Sequence, residues 1–236
     1  MGATMTIRLS TALAVLSALG VLAAIPALAQ EASTAPSWTG AYVGAGVGAG
    51  HLSTDQYSPP QLSYGGYAAA DYAGWHPYGI IQGGLDLQLG STVLGLKLQH
   101  AVTNSDGDSF MKVDELVSSN AVALTSLSAR AGYLFQPQLL GYVSASVVSG
   151  QFNYASVDER WGLVDDSLDA TRTGVGIGAG VEYRVSDNVS VFTEYTYVQF
   201  ATGSSTFDYG SAYPSNWTYE YTHDLGTLQA GVNFRF

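Results

Sequence analysis

Three stretches of this chain hold residue types at spacings that could do chemistry. "GVGIGA", residues 174–179, has the G-x-G-x-x-A spacing with which a dinucleotide-binding loop brings its backbone up to a pyrophosphate. "NSDGDSFMKVDE", residues 104–115, sets Asn104, Asp106, Asp108 and Glu115 at positions 1, 3, 5 and 12 of a calcium loop. His223 beside Asp224 offers a base and an acid, which a hydrolase would need next to a serine. Each chemistry demands a particular element around it. A phosphate loop needs a helix directly after its glycines, a calcium loop needs glycine at position 6 between two helices, and a His-acid pair has to share a face.

The surrounding sequence withholds all three contexts. After Ala179 the chain goes on alternating, Val181, Tyr183 and Val185 against Gly180, Glu182 and Arg184, and then turns at Ser186-Asp187-Asn188. "GAGVGA", residues 44–49, repeats the glycine spacing, again with no helix after it. Ser109 stands where the calcium loop wants glycine, and alternating segments flank it. Neighbouring residues of a strand point to opposite faces, which separates His223 from Asp224. His51, His76, His100 and His223 all fall in the long connections or at the strand ends beside them. No cofactor and no catalytic residue are therefore expected.

Composition narrows the class further. A net charge of −11 with eight Lys and Arg excludes nucleic acid as a partner, since such recognition starts from clustered basic residues. There is no cysteine, so no disulfide framework is available. Charged residues make up 11% of the chain against about 25% in an ordinary soluble domain, while Gly reaches 28 and Tyr 16. Arg8, the uncharged run Leu9–Ala29 and the ending Pro26-Ala27-Leu28-Ala29 have the order of a signal peptide, with cleavage expected between Ala29 and Gln30. The expected organisation is a signal peptide over 1–29, a linker over 30–37 and one domain over 38–236.

That domain carries period-2 alternation and no convincing helical period. Eight alternating segments fall at about 38–51, 78–90, 92–103, 119–135, 140–154, 171–185, 189–202 and 223–236, each long enough to cross a bilayer as a tilted strand of roughly 9 to 11 residues. The connections alternate in length. Long ones at 52–77, 104–118, 155–170 and 203–222 are separated by short ones at Gly90-Ser91, Gln136-Pro137-Gln138-Leu139 and Ser186-Asp187-Asn188. This is the signature of an all-β, eight-stranded, antiparallel up-and-down transmembrane β-barrel. With both termini in the periplasm, the long loops face outward.

Strand parity sorts the side chains. Leu94, Leu96, Leu98 and Val102 alternate with Gly95, Lys97, Gln99 and Thr103, and Leu228, Ala230, Val232, Phe234 and Phe236 with Gln229, Gly231, Asn233 and Arg235. The polar face is rich in Gly, Ser, Gln and Asn, which suits a narrow filled lumen, with glycines leaving room for larger residues of other strands. Lys97, Arg130, Arg172, Arg184 and Arg235 fall on it, together with Asp86, Glu182 and Glu194. Buried charge has to be paired, so a lumen ion-pair network is expected, most simply Arg184 or Arg235 with Glu182 or Glu194 on neighbouring strands. The rival reading makes these charges the selectivity lining of a thin pore.

The other acids sort to the long connections: Asp55, Asp71, Asp106, Asp108, Asp114, Glu115, Asp158, Glu159, Asp165, Asp166, Asp169, Asp208 and Glu220, against Lys112 and Arg160. A solvated negative rim is the simpler reading, and divalent-cation bridging to lipopolysaccharide or to a host surface ligand the functional one. Two aromatic girdles are expected, Tyr133, Phe135, Phe234 and Phe236 on the turn side and Trp75, Tyr78, Tyr195 and Tyr197 on the loop side.

"WTGAYVGAGVG" at 38–48, "GVGIGAGVEYRVSDNVSVFTEYTYVQF" at 174–200 and "LQAGVNFRF" at 228–236 together resemble the OmpA-like outer-membrane β-barrel, or porin, family of Gram-negative bacteria, which includes immunogenic surface proteins and opacity-type adhesins. The resemblance runs over residues 30–236, strongly at the ends and weakly in the loops. It implies a protein of the outer membrane, lying among its lipid and lipopolysaccharide, and a role in envelope integrity and surface interaction. A narrow diffusion pore is the alternative, and a lipid-modifying enzyme at the outer rim the third reading. Phe236, with Phe234 two residues before it, resembles the C-terminal signal read by the outer-membrane assembly machinery.

Overall fold

In a computed structural model, residues 37–57, 67–71, 75–103, 109–112, 115–158, 163–207 and 217–236 are described. The signal-peptide segment 1–29, most of the linker, and Asn104, Asp106 and Asp108 of the calcium reading lie outside them. The strands are β1 (Gly40–Tyr57), β2 (Tyr67–Asp71), β3 (His76–Leu89), β4 (Thr92–Thr103), β5 (Ser109–Lys112), β6 (Glu115–Gln136), β7 (Leu139–Asp158), β8 (Leu163–Arg184), β9 (Val189–Phe200), β10 (Gly203–Phe207) and β11 (Trp217–Arg235).

Eight of them form the expected antiparallel barrel, in the ring order β1-β3-β4-β6-β7-β8-β9-β11. The ring closes where β1 pairs with β11, from Tyr42↔Arg235 to Tyr57↔Glu220. The three short connections fall at the expected places, and Gly90 takes the left-handed backbone its two-residue turn requires, with φ +63°. Both ends of the barrel sequence sit at this turn end. The Phe236 N–H donates to the Ala41 carbonyl at 3.0 Å, and the Asn188 side-chain amide to the Arg235 carbonyl at 2.9 Å.

The short strands β2, β5 and β10 had no counterpart in the alternation. They pair onto β1, β6 and β11, so that the sheet continues at the loop end as two flaps, β2-β1-β11-β10 and β5-β6-β7-β8. Asp55, Asp158, Asp165, Asp166, Asp169 and Glu220, expected in loops, therefore belong to strand backbone, as do Asp71 and Glu115. The ladder needs only backbone groups, so strands can outrun the apolar pattern that betrays them.

Alternation places the side chains as parity requires. Val47, Leu96, Leu127, Val143, Val175, Ile177, Leu228 and Val232 point away from the lumen, Val47 remaining 70% and Ile177 68% exposed. Such an apolar belt suits lipid, not water. Tyr133, Phe135, Phe234 and Phe236 are exposed at its turn-side border and Trp75, Tyr195 and Tyr197 nearer the loops. Tyr78 leaves this girdle. It shares its parity with Ile80 and Gln82, and its hydroxyl donates to Gln229 inside the lumen.

The inward glycines have specific partners. Each of Gly84, Gly180, Gly48, Gly95 and Gly44 sits directly across the ladder from a large lumen side chain, respectively Tyr42, Tyr142, Tyr78, Asp86 and Asn233. A Cβ on Gly84 would lie 2.5 Å from the Tyr42 ring, and one on Gly180 2.6 Å from the Tyr142 ring. Gly79, of outward parity, has nothing within 4 Å of such a Cβ. Gly84→Val should accordingly cost about 1–3 kcal/mol through overpacking, whereas Gly79→Ala should stay within about 0.5 kcal/mol of the parent. Urea unfolding of the refolded barrel, followed by its heat-modifiable gel mobility, checks the contrast.

Candidate functional site

The functional candidates lie in the lumen, which is filled in layers. At the turn end Trp38 is fully buried against Val93, Leu140 and Tyr142. Its backbone N–H donates to Gln88 Oε1 at 2.8 Å and its indole Nε1 to the Pro137 carbonyl at 3.0 Å. The guanidinium groups of Arg184 and Arg235 lie over its rings, 5.1 and 4.5 Å from the centroid.

The next layer is a ring of four charges of alternating sign: Asp86 on β3, Arg130 on β6, Glu182 on β8 and Arg235 on β11. Arg130 grips Asp86 with Nε (2.9 Å) and a terminal nitrogen, and reaches Glu182 with the other at 2.9 Å. Arg235 bonds Asp86 at 2.7 Å and Glu182 at 2.8 Å. Asn233 and Ser190 also donate to Glu182, and Gln82 to Asn233. Both arginines stack on Tyr42, at 5.0 and 4.9 Å. Charge buried to this depth is tolerated only when paired and hydrogen-bonded, and here every carboxylate oxygen accepts at least one N–H.

A second ion pair stands on the intervening strands. Lys97 of β4 reaches Glu194 of β9 at 2.6 Å, straight across the lumen, and Glu194 also accepts from the Tyr142 hydroxyl at 2.8 Å. Gln99 and Gln229 exchange hydrogen bonds at 3.1 and 3.0 Å beside a cavity of about 40 Å³, room for a water or two. Above it Leu52, Val148, Phe152, Val198, Phe200 and Leu225 form an apolar layer. His223 is fully buried over Phe152, the rings stacked at 4.8 Å and 9°.

Six of the eight predicted lumen charges thus meet in two clusters, and two do not. Arg172 sits half-buried at the loop end, where a terminal nitrogen donates to the Ser204 carbonyl at 3.3 Å. Arg184 joins no ion pair among the described residues. Pairing between adjacent strands is also not what forms, because the four-charge ring draws on every second strand. On adjacent strands the ladder partners of Asp86 and Arg235 are Gly95 and Tyr42, so each charge reaches one strand further, over the small residue or along the aromatic face. Glu115 opens β6, while Phe234 and Phe236 face outward, their rings edge to face at 5.3 Å. Tyr42, Tyr142, Gln82, Asn233 and Ser190 were missed as members, although their inward parity marked them. Trp38 was missed too, although it opens the alternating segment 38–51 with the parity of Tyr42; the strand itself begins at Gly40.

Comparison with known proteins agrees with this geometry. Residues 20–236 match the model of the outer membrane protein beta-barrel domain. The chain is 26% identical to a "22 kDa outer membrane protein" of Rhizobium leguminosarum bv. viciae, over 88% of this chain and 83% of that one. It is 25% identical to a "31 kDa outer-membrane immunogenic protein" of Brucella melitensis, over 85% and 84% respectively. Among solved structures the outer membrane protease OmpT from Escherichia coli superposes with a TM-score of 0.50 at 9% identity, covering 88% of this chain and 99% of that one, a likeness of fold alone.

The cross-lumen pair gives a direct test. Lys97→Met strands the Glu194 carboxylate and should destabilise the barrel by about 3–5 kcal/mol. Adding Glu194→Gln removes the stranded charge, keeps an acceptor for Tyr142 and should restore most of the loss. Urea midpoints of the two proteins in detergent micelles measure the recovery.

Proposed function

The chain belongs to the outer membrane protein β-barrel family and is a protein of the outer membrane, and on that premise we propose that it is a non-catalytic barrel supporting envelope integrity and surface interaction. The observation that carries the reading is the filled lumen. Two ion-pair layers and one apolar layer succeed one another across it, with Trp38 beneath them. A barrel of eight strands is just wide enough to be filled in this way, and such filling stiffens the wall and leaves ions no path.

The acids that the sequence gathers in the flaps and long connections give this end a strongly negative charge, and relatives named immunogenic support its exposure at the cell surface. Divalent cations bridging that surface to lipopolysaccharide, or a host surface ligand, fit the same charge. The rim enzyme is disfavoured by His223, which lies inside the lumen on Phe152, not beside the lipid an acyl-transferring or hydrolysing site would need. Outward-facing Phe234 and Phe236 suit contact with the assembly machinery.

Planar-bilayer recording tests the filled lumen. The purified protein should give no steady openings, and large stable ones would transfer the reading to a diffusion pore. Export through cleavage after Ala29 has its own test: the intact mass of protein extracted from outer membranes should correspond to a chain starting at Gln30, and a chain retaining residues 1–29 would contradict it.

A further inference from the structure

The turn-side layer is not electrically balanced. Arg130, Arg184 and Arg235 bring three buried guanidinium groups to it, Asp86 and Glu182 only two carboxylates. Glu182 accepts four hydrogen bonds and Asp86 three, none of them from Arg184. Glu182 Oε1 accepts from Ser190, Asn233 and Arg235 and Oε2 from Arg130, while Asp86 Oδ1 accepts from Arg130 and Oδ2 from both Arg130 and Arg235. Arg184 is left over. It is 6% exposed, its guanidinium lies 5.1 Å over Trp38, and its Nε is buried with no hydrogen-bond partner. The terminal nitrogens, also outside every hydrogen bond among the described residues, keep contact with solvent at the turn-side mouth. Asp187 is exposed on the adjoining turn and acts on Arg184 only through space.

We propose that Arg184, with Trp38 as its floor, is the binding site for a small oxyanion, a carboxylate or a phosphate group, entering from the turn side. A buried cation without a counter-ion is costly, and the two carboxylates of the layer are bonded to Arg130 and Arg235 rather than to Arg184. The guanidinium fork matches the two oxygens of a carboxylate or phosphate, and the indole shields the charge from water on one side. The ligand supplies the third negative charge that the chain lacks, and Asp187 competes weakly for the same cation.

Titration calorimetry on the refolded full chain in zwitterionic micelles tests this, with sodium phosphate and sodium acetate as probes at ionic strength held constant by chloride. Saturable binding is expected, absent in Arg184→Met and weakened about tenfold in Arg184→Lys, which keeps the charge and loses the fork. Phosphate saturating alone identifies a phosphate-bearing ligand, and both saturating extends the class to carboxylates. No saturable heat with either anion, or undiminished binding by Arg184→Met, overturns the site. Should Arg184→Met fail to fold, Asp187→Asn carries the test: removing the competitor should tighten binding severalfold, and an unchanged affinity overturns the proposal equally.

Discussion

Inside a bilayer no water is available to a backbone N–H or C=O, so a sheet that enters it has to close on itself. In this chain closure is the pairing of β1 with β11, the first and last barrel strands, over a ladder running from Tyr42↔Arg235 to Tyr57↔Glu220. Everything else follows from that seam. It brings both ends of the barrel sequence to the turn side, turns every outward residue toward lipid, and creates an interior that eight strands can only just fill. The loop end is released from the condition, and there the sheet continues as two flaps, β2-β1-β11-β10 and β5-β6-β7-β8.

A closed, narrow lumen then has to be packed without the layered freedom of a soluble core. The chain solves this by pairing size across each ladder, a glycine opposite a tyrosine or a charged group, as at Gly84 and Tyr42 or Gly95 and Asp86. Charge is arranged by the same geometry. With every second strand supplying one member, acids and guanidinium groups alternate around a ring in which each carboxylate sees two arginines. Ser190 and Asn233 add hydrogen bonds to Glu182, and Tyr142 adds one to Glu194 of the neighbouring pair, which is the condition under which buried ions persist.

Much of this was legible beforehand, for reasons that can be named. Parity holds in a strand away from its bulges, so Lys97, Arg130, Glu182 and Arg235 could be placed inside from their spacing to Leu96, Ala131, Val181 and Phe234, and the tight turns betrayed themselves by Gly90-Ser91, Pro137-Gln138 and Asp187-Asn188. Partners across the lumen were not legible, because parity gives a side and not a height or an opposite. Arg184 shares its side with Glu182 yet lies one step nearer the mouth, out of reach of the acids. β2, β5 and β10, at five, four and five residues, are too short to carry a readable alternation. Tyr78 was assigned by residue type against its own parity, and parity prevailed.

The four-charge ring joins residues far apart along the chain: Asp86 and Arg130 by 44 positions, Arg130 and Glu182 by 52, and Asp86 and Arg235 by 149. No hairpin or partial sheet can assemble it. Until β11 delivers Arg235, Arg130 is the one ion-pair partner of Asp86 and Glu182 among the described residues, and an unclosed sheet carries the ring half paired into a medium that tolerates no unpaired charge. Intermediates with the lumen half built are thereby penalised, and the transition to the finished barrel is made cooperative by its polar interior as much as by its lipid-facing wall, at the cost of the slow search that distant pairings impose.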